Sequence, residues 1–583
     1  MTAPLPHGVP QLGDGVVTLR AHRPEDLERI VEQCTDEHMT AWTTVPRPYA
    51  VSDAETFLGL VRAGWLHPTG LRAWAIADDS DTYLGSIELT PHGPAYRLGY
   101  GLHPQARGQG RMARAVRLVC GWAFAQGAPL VRWDAVVGNW ASRHTAWACG
   151  FTFHGTDRGH LYADPLGLRD AWVGTLAAGE PMQPAGAWLR PATLAGERVV
   201  LRAWGDDDEG DLPGTAEPGV DRPPTRAEFA GWLRAARERA AEGAAATWCL
   251  ADRHTDAVLG GIRLGGLADP ARPGTAHLGF WLLTAHRGHG YVHDAIDLLV
   301  PHAFGAAADG GLGLTRIASA ARAGNLTSQR TLYAAGFRVV GTEGSAARAG
   351  DLDPVDVVTV EVLACDDREA QRSRPIPVPV LHTPRLRLRP WGAGDGPQPG
   401  DDPDEAALTF MPPRAQPTAE GFAEWLAWRA RQALAGDSVL WCIADRVTDR
   451  ALGSVSVFAM GPAAGRFQGE VGYWLYPSTR GRRTIAEVLP VVVDHALRPV
   501  AEGGLGLQRL HAGTDALNEP SQAVLRAAGF RVWGRARSDC RRGDGTLSDS
   551  LYVELLAADP RGMSTQAAPA STHSPPAVSH AVK

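Results

Sequence analysis

Lysine is almost absent from this sequence. Lys583 is the only one, so arginine supplies nearly all of the 57 positively charged side chains. The net charge is −7, and no basic half, arm or stripe stands out, so no nucleic-acid partner is expected. A folded region without lysine also offers no lysine side chain for self-modification.

Cysteines are few and scattered. The seven cysteines stand at 34, 120, 149, 249, 365, 442 and 540, and none belongs to a CxxC pair. This spacing argues against a metal site and against a disulfide framework. No apolar run reaches the ~18 residues of a membrane span, and the first residues lack the charged and apolar regions of a signal peptide. We therefore expect a reduced, cytoplasmic protein with no membrane partner.

What the sequence does contain is a threefold internal repeat. "RLGYGLHPQARGQGR" (97–111) returns as "HLGFWLLTAHRGHGY" (277–291) and "EVGYWLYPSTRGRRT" (470–484). "GNWASRHTAWACGF" (138–151) returns as "GNLTSQRTLYAAGF" (324–337) and "LNEPSQAVLRAAGF" (517–530). Two further blocks recur in the same order. The period of about 185 residues is the size of a domain rather than of a solenoid repeat.

The repeat predicts three tandem domains, over 1–180, 186–365 and 376–558. Linkers are expected where the matching fails, at 177–196 and 366–383. Residues 560–583 have the composition of a disordered tail. Below, the three repeats are called the first, second and third copy.

Each copy alternates short apolar strands with helical patterns. The reading is an α/β (α+β) domain, in which helices flank a mixed, mostly antiparallel sheet. One strand, "RLGYGL" in the first copy, leads into a glycine-rich loop and then a helix. Gly99, Gly279 and Gly472 lie inside this strand, where glycine indicates a bulge or a close approach.

The loop "RGQG" suits an anion. The first N–H groups of a helix have no internal acceptor, and glycines such as Gly108 and Gly110 let a phosphate approach them. The pattern is neither a P-loop nor a GxGxxG fingerprint. Taken alone, it is equally the sequence of a tight turn between a strand and a helix.

The strand, "QARGQG", helix, strand and "N-x-x-S…GF" together resemble the GCN5-related N-acetyltransferase (GNAT) superfamily, and most closely its Rim-type branch, which acetylates ribosomal-protein N termini. The resemblance covers all three copies. It implies acetyl-CoA as co-substrate, with its pyrophosphate on the loop and its pantetheine arm in a gap beside the central strand. The cofactor-binding residues implied are Gln105, Arg107, Gly108, Gly110, Arg111, Asn139 and Ser142 in the first copy and Arg287, Gly288, Gly290, Asn325 and Ser328 in the second.

The copies are unequal. Leu19 and Phe57, which bracket the first two helices of the acceptor wall, stand 38 positions apart in the first copy, and the equivalent stretch is 28 in the second and 34 in the third. In the second copy it contains the acidic run 206–209, expected to be a solvated loop. The third copy has a degenerate loop, with Arg483 in place of the last glycine. The first copy is therefore expected to be the catalytic one.

Three side chains of the first copy are candidates for the base that deprotonates an amine: Glu88, Asp134 and, ranked lower, His103. Each of them has an equally ordinary structural reading. Ser142 could stabilise the thioester sulfur or simply support a helix start. In the second copy, Tyr333 stands where the superfamily often has the acid for the leaving thiolate, and Trp147 occupies that position in the first.

Other recurrent residues indicate packing. Trp74, Trp248 and Trp441 align across the copies, as do Cys249 and Cys442, and we expect them in the core. Three aligned aspartates near the last strand are expected to make a structural hydrogen bond: Asp170, Asp356 and Asp549.

The leading hypothesis is an acetyl-CoA-dependent N-acetyltransferase that acts on a primary amine, either a small molecule or a protein or peptide N terminus, by direct attack and without a metal. One alternative is an acyl-CoA-binding scaffold or sensor with partly or wholly inactive copies. Another is a purely structural triplication. The number of acetyl-CoA molecules bound per chain separates these hypotheses.

Overall fold

The computed structural model describes residues 8–163, 167–217, 222–347, 354–411, 415–461, 467–542 and 545–560. Nearly all of the predicted tail, 560–583, lies outside these ranges. The chain divides into two compact units, Met1–Arg190 with Ala230–Ala246, and Pro191–Phe229 with Thr247–Lys583. No helix in the described ranges combines the length and the apolar character needed to cross a bilayer.

The first copy forms one mixed sheet with helices against it. Its described strands are β1 (Leu12–Gly13), β2 (Thr18–Arg20), β3 (Arg72–Ala77), β4 (Tyr83–His92), β5 (Ala95–Leu102), β6 (Leu130–Val136), β7 (Thr152–Ala163) and β8 (Gly167–Ala177). Its helices are α1 (Leu27–Thr35), α2 (Glu37–Trp42), α3 (Val51–Leu66), α4 (Arg111–Ala125) and α5 (Trp140–Ala148). The strand order is β1-β2-β3-β4-β5-β6-β8-β7.

The second copy has the same order of strands. These are β9 (Leu194–Ala195), β10 (Val199–Arg202), β11 (Ala245–Asp252), β12 (Val258–Gly265), β13 (Thr275–Leu282), β14 (Arg316–Arg322), β15 (Arg338–Ala347) and β16 (Val355–Leu363). The helices are α6 (Arg226–Ala241), α7 (Tyr291–Phe304), α8 (Leu326–Ala334) and α9 (Arg368–Gln371).

The third copy repeats the order again. Its strands are β17 (Leu381–His382), β18 (Leu386–Arg389), β19 (Val439–Asp445), β20 (Ala451–Phe458), β21 (Gln468–Leu475), β22 (Arg509–Asp515), β23 (Arg531–Arg541) and β24 (Leu547–Leu556). The helices are α10 (Glu405–Phe410), α11 (Phe422–Ala433), α12 (Thr484–Leu497) and α13 (Glu519–Ala527). The prediction of three tandem domains with mixed sheets and flanking helices is confirmed.

One strand pair in each sheet is parallel, and it soon separates. β5 pairs with β6 only at residues 96–98, although β5 continues to Leu102. The equivalent pairs, β13 with β14 and β21 with β22, stop at Leu278 and Glu470. Beyond those points the two strands diverge and leave a gap. The register of β5 against β4 runs without a shift through Gly99, so there is no bulge at this glycine. Of the two predictions for this glycine, the close approach is the one that remains.

The acceptor wall differs between copies as its length suggested. α1 and α2 stand between β2 and α3 in the first copy, whereas the described part of the equivalent segment in the second has only a short 3-10 turn, Asp206–Asp211. That turn is not simply a solvated loop, because Asp208 is buried and accepts hydrogen bonds from Arg202 at 2.8 and 2.9 Å. Asp26 and Asp395 do the same for the equivalent arginines, Arg20 and Arg389.

The residues assigned to packing are in the core. Trp74, Trp248 and Trp441 are fully buried. Each indole N–H donates to a carbonyl oxygen in the segment just before the first strand of its copy. Cys249 and Cys442 are buried too, and burial raises the pKa of the Cys442 thiol to about 12, so neither thiol is reactive.

The three aligned aspartates have the expected structural role. Asp170, Asp356 and Asp549 each accept a hydrogen bond from a backbone N–H in the neighbouring strand, at 3.0, 3.0 and 3.1 Å. This bond pins the last β-hairpin of every copy.

A buried arginine follows Ser142 on α5. Arg143 is 3% exposed, and its guanidinium lies over the rings of Trp140, Phe153 and Trp172. Within the same compact unit, residues 230–246 supply its carboxylate partners, Glu242 at 2.9 Å and Glu238 at 3.7 Å. Burial lowers the pKa of Arg143, and the two carboxylates oppose that effect. A fragment ending at residue 180 would lack both carboxylates, so the first copy is best studied in the full chain.

We expect Glu238→Gln with Glu242→Gln to destabilise this unit, because the Arg143 charge would stay buried without a partner. The loss should be up to about 3 kcal/mol, the lower end for a broken buried pair, since both carboxylates are partly exposed. Arg114→Gln is the control: it removes the partly exposed Arg114–Asp14 pair and should cost at most about 1 kcal/mol. The first thermal transition of the full chain reports both effects. Equal melting temperatures for the double variant and the parent would contradict this role of Arg143.

Candidate active site

The loop between β5 and α4 presents backbone amides to a cavity. Gly108 and Gly110 have φ of +76° and +70°, in the left-handed region that favours glycine. Gly110 is the N-cap of α4 and brings no side chain to its first amides. These amides face a cavity of about 790 Å³, here called the outer cavity, whose lining includes Gly108, Gly110, Arg111, Met112 and Ala113. Uncapped amides at a helix N terminus are an anion site.

Two other residues assigned to this loop hold it in place. The Arg107 guanidinium donates to Asp36, the N-cap of α2, at 2.6 Å. In the other copies Arg287 pairs with Glu217, and Arg480 with Asp404. Gln105 accepts a long hydrogen bond from Arg29, at 3.4 Å. The arginine of the motif thus ties the loop to the acceptor wall, while the amides remain open to a ligand.

The loop backbone is the same in all copies. Gly288 and Gly290 have φ of +83° and +82°. In the third copy Arg483 itself takes a left-handed φ of +57° at the N-cap of α12. The degenerate loop therefore keeps the turn, and what changes is the arginine side chain at the start of the helix.

A second cavity, of about 470 Å³ and here called the inner cavity, lies between β4, β5 and the wall formed by α1–α3. Glu88 and Asp134 line it, together with several aromatic rings. It meets the outer cavity where β5 and β6 separate, since both are lined by Met39, Trp42, Thr43, Tyr100, Gly101, Asn139 and Ser142. The two cavities together connect the amides of α4 with a carboxylate.

Glu88 is the titratable group of the inner cavity that has no partner. Within the described residues its carboxylate makes neither a hydrogen bond nor an ion pair. Burial raises its pKa, and the attraction of Arg97 only partly opposes this. Gly99 makes room for it, because a Cβ on Gly99 would lie 2.8 Å from Glu88 Oε1. A carboxylate with a raised pKa and no partner is suited to accept a proton.

The other two candidates for the base are engaged. Asp134 lines the inner cavity, but it accepts hydrogen bonds from Arg97 at 2.6 and 2.7 Å. His103, which directly precedes the loop, is buried. Its Nε2 lies 2.8 Å from Glu32 Oε2, and its Nδ1 lies 3.2 Å from Arg29 Nη2. It is not among the described residues lining either cavity.

Ser142 belongs to a hydroxyl network at the junction. Its Oγ lies 3.0 Å from the hydroxyl of Tyr100, and Trp133 Nε1 donates to both oxygens, at 3.2 and 3.1 Å. Burial raises the pKa of Tyr100, so its phenol stays protonated. Asn139 caps α5 by accepting from the Ser142 N–H at 3.1 Å. Asn325 and Ser328 repeat that cap in the second copy, at 3.2 Å.

The second and third copies lack these carboxylates. Glu88 lies opposite Gly99, and by the same register its counterparts are Arg263 in the second copy and Ser456 in the third. Asp134 is replaced by Ala320 and Gly513.

Tryptophans occupy two equivalent positions near this region in those copies. The counterparts of His22 and Gly101 are Trp204 and Trp281 in the second copy, and Trp391 and Trp474 in the third. Each pair is stacked, with ring centroids 5.9 and 5.8 Å apart. Two stacked indole rings thus replace an imidazole and a glycine, and in the first copy Met39 packs against that glycine.

The first copy has no tyrosine at the position of Tyr333. Tyr333 is buried on α8, and burial raises its pKa. Trp147, at the equivalent position, donates from Nε1 to the Gly186 carbonyl at 3.1 Å. The hydroxyl that lies at the junction of the first copy is instead that of Tyr100.

The sequence argument missed Tyr100, Gly101 and His22. A signal was present, because the aligned blocks place Gly101 and His22 opposite tryptophans in both other copies. Nowhere in the described ranges do three or more His, Cys, Asp or Glu side chains converge as a metal ion would require.

Several solved structures are similar to single copies of this chain. Ribosomal-protein-S5-alanine acetyltransferase from Vibrio fischeri is 18% identical, and the match covers 29% of this chain and 98% of that one, with a TM-score of 0.27. RimJ from Mycobacterium smegmatis, in complex with CoA-disulfide, is 20% identical over 29% of this chain and 88% of its own, also with a TM-score of 0.27. The microcin C7 self-immunity acetyltransferase MccE, in complex with acetyl-CoA and AMP, is 16% identical over 28% and 93%, with a TM-score of 0.26. No curated protein matched the sequence.

The acetyltransferase (GNAT) domain family matches the chain three times, at residues 17–152, 198–338 and 385–531. Each match covers the second to the sixth strand of one sheet and its loop, and together the matches span more than half of the chain. The chain therefore belongs to the GNAT acetyltransferase family and carries three tandem copies of its domain.

Proposed function

We propose that the first copy is an N-acetyltransferase that moves acetyl from acetyl-CoA to a primary amine by direct attack. The observation that carries this proposal is the unpartnered Glu88 carboxylate, in a cavity that opens into the one at the start of α4. Glu88 is the base, and Asp134 holds Arg97 beside it. Family membership supports the reaction type, and the differences between copies support the location.

Acetyl-CoA suits the outer cavity. The amides after Gly108 and Gly110 have no side-chain cap, and both glycines leave open space where a Cβ would stand. These amides and Arg111 would hold the phosphates, and Asn139 and Ser142 would lie beside the thioester end. When bound, acetyl-CoA supplies the acetyl group, and its sulfur leaves as CoA thiol.

The chain's own groups handle the proton. Glu88 accepts it from the ammonium, which makes the amine nucleophilic. Tyr100 and Ser142 share a hydrogen bond at the junction, where either hydroxyl can donate to the departing sulfur. The acceptor is a primary amine, carried by a small molecule or by a peptide N terminus.

The second and third copies favour another function. Their loops keep the left-handed turn, yet Trp281 and Trp474 stand where an acceptor would enter. The second copy would bind an acyl-CoA without transferring the acyl group, as a sensor or scaffold, and the third would bind it more weakly, because the Arg483 side chain stands at the start of α12. Calorimetric titration tests this: more than one acetyl-CoA per chain supports it, and one per chain confines binding to the first copy.

Glu88→Gln should lower kcat/KM by about 10²–10⁴-fold, the usual contribution of a general base. The measurement is free-thiol release by the full chain with acetyl-CoA and an amine. The matched controls are Arg263→Gln and Ser456→Ala, at the equivalent positions of the other copies, and both should keep the parent rate. A large loss in either control, with Glu88→Gln unchanged, would move the chemistry to another copy.

Gly110→Arg, which mimics the third copy, should raise the KM for acetyl-CoA at least about tenfold, or roughly 1.4 kcal/mol. The side chain would stand at the amides that meet the phosphates. Gly127→Arg is the control, because Gly127 also has a positive φ, +87°, and open space, but lies at the other end of α4. Equal KM values for the two variants would remove the assignment of this loop to the phosphates.

Glu88→Gln should also stabilise the first unit at pH 8. The pKa of Glu88 is raised in the folded state, so ionisation costs more there than in the unfolded chain, and the parent loses stability as pH rises above about 4.3. The glutamine variant does not ionise. Its melting temperature should exceed that of the parent at pH 8 and approach it towards pH 4. A variant less stable than the parent at pH 8 would show that Glu88 is structural.

A further inference from the structure

Aromatic rings form part of the wall of the inner cavity. Trp42, Tyr49, Phe57, Tyr83 and Trp133 line it. Its volume, about 470 Å³, is that of a small-molecule site. Ring faces of this kind hold flat apolar groups by stacked or edge-to-face contacts.

The charge of the cavity suits a single cation. Glu88 is unpartnered, but the other two carboxylates of the lining are engaged. Asp134 is paired with Arg97, and Asp53 accepts from the Ala50 N–H at 2.8 Å. A second ammonium group, as in a polyamine, would be buried without a partner, which is strongly unfavourable.

The cavity offers few free polar groups for a peptide backbone. Gln33 accepts from the Tyr83 hydroxyl at 3.1 Å, Ser86 Oγ lies 3.0 Å from His22 Nε2, and Thr43 donates to a helix carbonyl at 2.7 Å. The N–H and C=O groups of a bound peptide would lose their water without regaining partners.

The other copies carry rings at the equivalent positions. Where the first copy has His22 and Gly101, they have stacked indole pairs. Phe57 makes an edge-to-face contact with His22, at 5.3 Å between centroids, whereas Phe229 and Phe422 lie tilted against Trp204 and Trp391, at 5.8 and 6.0 Å. Burial lowers the pKa of His22 to about 4, so its ring is neutral and does not repel a cation.

We infer that the acceptor of the first copy is a primary monoamine whose remaining part is a flat, apolar ring, held among the aromatic side chains of the inner cavity, such as Tyr49 and Phe57, with its amine on Glu88. This inference rests on the proposed function and narrows it. Gly101 shapes the wall of this cavity, because any larger side chain there would displace Met39 and Gln33, which also line it. A Cβ on Gly101 would already lie 2.4 Å from Met39 Cε and 3.0 Å from Gln33 Nε2.

The test measures free-thiol release by the full chain with acetyl-CoA and four acceptors: 2-phenylethylamine, n-butylamine, spermidine and a short peptide with an N-terminal alanine. We expect kcat/KM for 2-phenylethylamine to exceed that for each of the others at least tenfold. 2-Phenylethanol, which keeps the ring and lacks the amine, should compete with it. Phe57→Leu should raise the KM for 2-phenylethylamine more than that for n-butylamine, whereas Val447→Leu, at a fully exposed site of the third copy, should change neither.

The outcomes separate the two levels of the proposal. Faster turnover of spermidine or the peptide, abolished by Glu88→Gln, would overturn the ring-bearing acceptor and leave the acetyltransferase in place. Binding of 2-phenylethylamine, seen by quenching of tryptophan fluorescence in the parent and reduced in Phe57→Leu, but without thiol release, would support the ligand class and overturn the proposed reaction. Neither binding nor release with any of the four amines would overturn both.

Discussion

The divergence of β5 from β6 is the constraint on which the site depends. Backbone groups of a buried strand must find hydrogen-bond partners, and beyond residue 98 β6 no longer supplies them to β5. That part of β5 carries Tyr100 and Gly101, and Ser142 reaches it from α5 across the gap. The outer and inner cavities meet at this point, because the described lining residues that they share lie around it. If the strands remained paired, the amides of α4 and the carboxylate of Glu88 would have no common space.

The same scaffold carries three different sites because few residues decide the chemistry. Every copy keeps the Arg–Asp pair of the first β-hairpin, the buried tryptophan of its third strand and the aspartate that pins the last hairpin. The differences lie at two pairs of facing positions on the fourth and fifth strands of each copy. Glu88 opposite Gly99 becomes Arg263 opposite Gly279, and Gly101 becomes Trp281. A fold shared three times within one chain therefore says little about how many of its sites are active.

The sequence was sufficient for the fold and for much of the loop. The internal repeat indicated the domains, and local patterns predicted the strand, the glycine loop and the helix. They also predicted the burial of Trp441 and the structural hydrogen bond that Asp549 accepts. Glu88 was a candidate base because its type suits the chemistry, and the sequence ranked it equally with Asp134. Their difference arises from the Arg97 side chain, which reaches Asp134 across the sheet.

Long-range register explains what was missed. Ser86 faces Gly101 across β4 and β5, and only that register shows that an absent side chain on one strand opens a cavity against the other. The acidic run of the second copy was misread for a related reason, since the partner of Asp208 is Arg202, on the preceding strand. A charged residue looks solvated in sequence until its partner is placed beside it.

The location of the unsatisfied groups is the physical argument for assigning function to the first copy. Glu88, which lines its inner cavity, has no partner, and the buried Nδ1 of His22 makes no hydrogen bond among the described residues. The other copies have Arg263 and Ser456 in place of Glu88, but the ring nitrogen at the position of His22 is also without a hydrogen bond in the third copy, where it is Trp391 Nε1. Filling a cavity and deleting a buried charge both stabilise a domain. The open cavity with its unpartnered carboxylate is therefore the feature of the first copy on which the proposed site rests.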